Sequence, residues 1–160
     1  MSILYIMVGI PGSGKTHWAK QFIKEHPSIK YVSRDEIRMS LLNENDDYFA
    51  REKHVFNMFA TKIVGLLNAK NDVIADATHI SHASRMKLVN AITNRGLSLN
   101  DFYIEFIFIN TALAQCIKNN NVRDGRAYVP EGQIKRMSYQ LEPPSINEVK
   151  NCKGVMTVNA

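Results

Sequence analysis

Apolar residues fall along this chain in two alternating rhythms. Short runs of strand length recur at residues 3–8, 29–32, 73–75, 102–109 and 154–158. Between them the apolar positions open out to the three- and four-residue spacing of helices. The helical stretches cover residues 15–25, 35–42, 48–69, 84–94, 111–120 and 131–140. In the longest of them Phe49, Phe56, Phe59, Ile63 and Leu67 recur at intervals of three, four or seven, which predicts a buried stripe. Pro130 stands where a helix starts, and Pro143 with Pro144 ends it. Strand and helix in alternation predict an α/β fold, an open and mostly parallel five-stranded sheet with helices on both faces. In such a sheet ligands bind at the carboxyl ends of the strands, so the residues that follow each strand carry the functional expectation.

No repeat, low-complexity tract or linker divides the chain, and its 160 residues suit one domain spanning 1–160. Hydrophobic residues make up 45% and charged residues 22%, ordinary values for a water-soluble fold. No apolar run reaches membrane-spanning length, and the N-terminal apolar stretch lacks a basic leader, so a cytoplasmic protein is expected. The two cysteines, Cys116 and Cys152, lack metal-ligand spacing and read as reduced thiols. A net charge of +5 suits an anionic partner, ATP and nucleic acid alike.

The first strand runs into "GIPGSGKT", which fits G-x-x-x-x-G-K-[ST] in the required context of strand, loop and helix. Gly9, Pro11, Gly12, Ser13 and Gly14 would fold the backbone back so that its N–H groups form an anion nest at a helix N-terminus. Lys15 would reach the β- and γ-phosphates of ATP, and Thr16 would offer its hydroxyl to Mg²⁺.

Phosphoryl transfer also needs a group that orients the acceptor. Asp35, in "SRDEIR" after the second strand, is flanked by Arg34 and Arg38, which favour its ionised, proton-accepting form. Asp is equally a favoured helix N-cap, so Asp35 has a second reading as the cap of its helix. Asp76, in "DATH" after the third strand, is expected either to hold a water on Mg²⁺ or to hold Arg38. Thr78, His79 and Arg85 trail it toward the same rim; Thr78 and His79 also suit a turn or a helix cap. A polar, basic segment at about residues 119–130 carries Arg123 and Arg126 on either side of Asp124-Gly125. It reads as a short lid that brings a guanidinium to the transferring phosphoryl group, or as a solvated loop.

Together "GIPGSGKTHWAKQF", "SRDEIR", "DATH" with Arg85, and "NxxRDGRxxVP" resemble the P-loop 5′-hydroxyl polynucleotide kinase family, in that family's order and over residues 3 to about 141. The resemblance implies a P-loop kinase fold using ATP and Mg²⁺, with Lys15, Asp35 and Arg123 catalytic and Asp35 as the general base. It implies nucleotide contacts from residues 9 and 11–16, Arg123 and Arg126. It places Arg34, Arg38, Asp76, Thr78, His79 and Arg85 around a nucleic-acid 5′-hydroxyl end. Two positions depart from the family pattern: Asn119 stands where an arginine is frequent, and His79 where an asparagine is common. The first bears on lid closure and the second on acceptor identity. The chain carries no D-x-D-G-T signature, so 3′-phosphatase activity is not expected in it. Two alternatives stay open. One is the same chemistry on another hydroxyl (a nucleoside, a sugar, an antibiotic or a hydroxymethylated base in DNA), and the other is a nucleotide-dependent switch without phosphotransfer.

Overall fold

A computed structural model describes residues 1–125 and 128–160. Five strands, β1 (Ser2–Val8), β2 (Lys30–Ser33), β3 (Val73–Asp76), β4 (Phe102–Asn110) and β5 (Cys152–Asn159), form one sheet in the order β2-β3-β1-β4-β5. Every pairing is parallel. The crossovers carry helices α1 (Lys15–Glu25), α2 (Arg34–Leu41), α3 (Glu52–Asn68), α4 (His82–Thr93), α5 (Leu113–Asn121) and α6 (Glu131–Gln140).

The alternation along β1 decides how the layers pack. Leu4, Ile6 and Val8 face a core built with Val55, Phe59, Ile63 and Leu67 of α3 and Leu88, Val89 and Ile92 of α4. Tyr5 and Met7 point the other way, toward Ala19, Trp18, Phe22 and Ile23 of α1. A smaller cluster of Ile10, Cys116 and Ile134 packs α5 and α6 beside the loop that follows β1. Burial on both faces explains why β1 and β3 read as near-continuous apolar runs. Among the described residues no helix is long and apolar enough to cross a membrane.

Four helix starts differ from the sequence reading: α2 begins one residue earlier, at Arg34, α5 two later, at Leu113, and α4 and α3 shift for visible local reasons. Helix α4 begins at His82, because Ser81 and Ser84 form a reciprocal capping box. Helix α3 begins at Glu52, not at residue 48, so Phe49 is outside it and 54% exposed. The expected core stripe therefore starts at Phe56. The polar run before Phe49 bonds locally: Asn43 N–H donates to Asp46 Oδ2 at 2.8 Å, and Ala50 N–H to the Asp47 carbonyl at 3.0 Å. Such bonds favour turns over another helical turn.

Candidate active site

The loop from Gly9 to Gly14 lies at the carboxyl end of the central strand. Gly12 and Gly14 adopt positive φ, 82° and 97°, which a side chain would oppose. At Gly12 the space is closed as well, since a Cβ there would stand 2.3 Å from the Cys116 carbonyl oxygen. The loop is tied down by its surroundings. Gly9 N–H donates to the Thr78 carbonyl at 3.0 Å, Thr111 Oγ1 to the Ser13 carbonyl at 2.6 Å, and Asn119 Nδ2 to the Gly12 carbonyl at 2.8 Å. Asn119, at the position of the family's frequent arginine, thus anchors α5 to the loop.

Three features suit this cradle to an anion. Gly14 is the N-cap of α1 and no side chain caps that helix, leaving its first N–H groups for another acceptor. The Ser13 hydroxyl is buried and has no hydrogen-bond partner among the described residues. Lys15 Nζ reaches the Ile10 carbonyl at 3.4 Å, and burial holds its pKa below the usual lysine value against the opposing pull of Asp76 and Asp35. The exposed Arg123 adds its positive charge to that environment, which places it electrostatically within reach of the loop. Asn120 is fully buried and brackets the segment carrying Arg123, donating to the Val129 carbonyl at 2.6 Å and accepting from Val129 N–H at 2.9 Å. Arg126 lies outside the described residues.

At the end of β3, Asp76 Oδ2 accepts two hydroxyls, Thr16 Oγ1 at 2.8 Å and Tyr31 at 2.5 Å. Burial and the neighbouring Asp76 raise the Tyr31 pKa, so it stays a neutral donor. Arg38 is held by Glu52, Asp35 and Tyr48, not by Asp76. Arg38 is only 5% exposed and gives Nε and Nη2 to the two oxygens of Glu52, at 3.0 and 2.7 Å. Its Nη1 pairs with Asp35 Oδ1 and donates to Tyr48 Oη at 2.8 Å. Tyr48 in turn donates to Asp35 Oδ1 at 2.8 Å. Arg34 Nη2 also meets Glu52, at 2.6 Å, while its buried Nε has no partner among the described residues. Burial alone would raise the Glu52 pKa, but the bonds and charges of Arg38 and Arg34 outweigh it and hold the carboxyl below its ordinary value.

Asp35 does not cap α2. Ser33 is the N-cap of α2, its hydroxyl accepting Glu36 N–H at 3.2 Å. Asp35 is one residue inside the helix with its side chain 70% exposed, one oxygen held by Arg38 and Tyr48.

Two more residues expected at the acceptor rim are interior, as Arg38 and Asp76 are. Arg85 is 1% exposed and spends its guanidinium on Glu148 Oε1 at 2.9 Å, the His79 carbonyl at 2.8 Å and the Glu142 carbonyl at 2.9 Å. It staples the segment before β5 to α4. His79 is 5% exposed, and its Nδ1 bonds the Met7 carbonyl at 2.8 Å. Its φ of 43° belongs to the left-handed region, where asparagine is the commonest non-glycine alternative. Histidine, like asparagine, suits that conformation. Thr78 is half-buried and contributes its carbonyl to the loop.

Sequence reasoning missed Tyr31, Tyr48, Glu52, Asn120 and Glu148. Tyr48 and Glu52 were readable only as members of a long helix, and their approach to Asp35 depends on the turn that precedes α3.

A family model described as an AAA domain matches residues 4–144. The chain belongs to that family. Its fold is that of P-loop kinases. A chain of the Pnkp1/Rnl/Hen1 RNA repair complex superposes with a TM-score of 0.74 at 25% identity, over 88% of this chain and 44% of that one. A fungal RNA kinase gives 0.66 at 12% identity, over 98% and 38%. The tunicamycin resistance protein of Deinococcus radiodurans gives 0.64 at 17%, over 96% and 86%. This AAA-domain chain thus spans less than half the length of the RNA-repair and RNA-kinase chains that it matches. The likeness to the fungal and Deinococcus proteins is one of fold.

Proposed function

We propose that this chain transfers the γ-phosphate of ATP to a 5′-hydroxyl of DNA or RNA, with Asp35 as the general base. The observation that carries the reading is the state of Asp35: largely exposed, released from capping by Ser33, and fixed through one oxygen by Arg38 and Tyr48. A carboxylate held this way keeps its second oxygen for an acceptor hydroxyl. Arg38, neutralised by Glu52, acts here as the residue that aims Asp35.

The donor side fits ATP and Mg²⁺. The uncapped start of α1, Lys15 and the orphaned Ser13 hydroxyl suit a triphosphate. Thr16 and Asp76 present the hard oxygen donors that Mg²⁺ takes, and they already share a hydrogen bond. Bound Mg²⁺ would neutralise charge on the β- and γ-phosphate oxygens. Lys15 and Arg123 would stabilise the charge that develops on the transferring group. Tyr31 and Thr16 both donate to the same Asp76 oxygen.

Support for a polynucleotide acceptor comes from the ordered motifs and from the RNA repair likeness. One observation favours a smaller hydroxyl acceptor instead: Arg34 and Arg38 share Glu52 and Arg85 is interior, so the rim is less cationic than the sequence suggests. Offering labelled ATP with 5′-hydroxyl oligonucleotides, nucleosides and sugars decides between them. Oligonucleotide phosphorylation that falls by about 10² or more in Asp35→Asn, with ATP affinity near normal, is the expected result. Turnover of nucleosides or sugars with none of an oligonucleotide would overturn it.

A further inference from the structure

We propose that the ring of Phe49 is the platform on which the terminal base of the acceptor stacks, an inference that rests on the polynucleotide reading above. An exposed phenylalanine is unremarkable in itself. Its position is what counts. Phe49 follows Tyr48 directly, and the two rings meet edge to face, 4.7 Å between centroids and 87° between planes. The Tyr48 hydroxyl is bonded to Asp35, and the Arg38 guanidinium carbon is 5.8 Å from the Phe49 centroid. An exposed aromatic ring thus stands one side chain away from the carboxylate that would take the acceptor's proton.

The local chain holds this ring at the rim. Turn bonds from Ala50 N–H to Asp47 at 3.0 Å and from Glu52 N–H to the Phe49 carbonyl at 3.3 Å fix the backbone on both sides. An edge-on neighbour cannot cover both faces of the ring, in keeping with its 54% exposure. In a nucleic acid the 5′ hydroxyl and the first base belong to one nucleotide, so a hydroxyl delivered to Asp35 brings its base into this neighbourhood. Every base has a π-face, and stacking on an aromatic side chain tolerates any sequence. A simple sugar has no π-face, so Phe49 selects for an acceptor that carries a base and against simple sugars.

The test compares a 5′-hydroxyl oligonucleotide with the same strand lacking its first base, at saturating Mg-ATP, for wild type, Phe49→Ala and Phe49→Leu. Leucine keeps apolar bulk without a π-face, which guards against a folding defect in the alanine variant; circular dichroism checks both. Loss of the ring should raise the acceptor KM about 5- to 150-fold, with the ATP KM unmoved. Loss of the base in wild type should do the same, and the two losses together should cost no more than one. An equal KM for wild type and both variants on the complete strand overturns the platform and leaves the kinase reading standing. So does an equal rise on the complete and base-free strands. Failure of wild type to phosphorylate any oligonucleotide overturns both readings.

Discussion

Acidification should weaken this protein through His79 before it touches the carboxylates. Burial, chiefly, drives the pKa of this imidazole from 6.5 down to about 4, against the favourable bond to the Met7 carbonyl; the charges of Arg34, Lys15 and Arg85 push the same way as burial. In the unfolded chain the ring takes a proton near 6.5, whereas the folded chain refuses it until about 4. Between those values the unfolded state binds more protons, so stability falls as pH drops through the window. Each unit of separation is worth about 1.4 kcal/mol, which makes the loss about 2 kcal/mol at pH 5 and about 3 kcal/mol near pH 4. His79→Asn removes the titrating group while keeping a neutral N–H donor and a residue type at ease with φ of 43°. The variant gives up ring packing near Phe59, 6.0 Å between centroids, so its stability is offset at every pH and the slope is the informative quantity. Urea unfolding at about pH 7.5 and 5 should show wild type losing about 2 kcal/mol more than His79→Asn over that interval. Glu52 and Glu148 do not confuse the comparison. Their pKa values lie below the ordinary 4.5, so their contributions are present above that value and are lost only as pH falls through the lower, folded ones. Equal losses in the two proteins would refute a buried, neutral His79.

Arg85→Leu should destabilise the fold by about 3–5 kcal/mol, because it takes the buried cation from Glu148, which is 8% exposed in its side chain and keeps bonds to His82 and to Ser145 N–H, and removes the donor from two backbone carbonyls. The melting temperature checks this, and adding Glu148→Leu should recover part of the loss; normal stability with a raised acceptor KM would return Arg85 to the acceptor rim. Gly12→Ala should cost more nucleotide affinity than Gly14→Ala. Both incur backbone strain of about 1–3 kcal/mol, but only at Gly12 would the new Cβ meet a backbone carbonyl, whereas Gly14 faces open space. Calorimetric titration with a non-hydrolysable ATP analogue ranks the two, and a reversed order would place the close approach elsewhere.

Local chemistry was enough to specify part of this molecule. Strand and helix follow from periods of two and of three to four, which any residue's neighbours along the chain reveal. The bounds of α1 and α6 coincide with the sequence reading because a glycine or a proline stands immediately before each helix. The phosphate loop is legible for the same reason: its glycines, lysine and threonine act through a continuous stretch of backbone, so spacing alone carries the geometry.

The proposed acceptor side was decided by tertiary structure. Asp35, Tyr48 and Glu52 converge only because residues 42–51 turn back before α3 begins, and a helical period gives no hint of that turn. The same turn moves Phe49 from an expected core position to the rim. Arg85 and His79 carry the residue types of a binding site, yet they are interior, because Glu148 and the Met7 carbonyl, 63 and 72 positions away in sequence, reach them first. A charged or ionisable side chain announces that it needs a partner. Whether that partner is a ligand or another part of the chain depends on which polar groups the packed sheet and helices bring within hydrogen-bond reach.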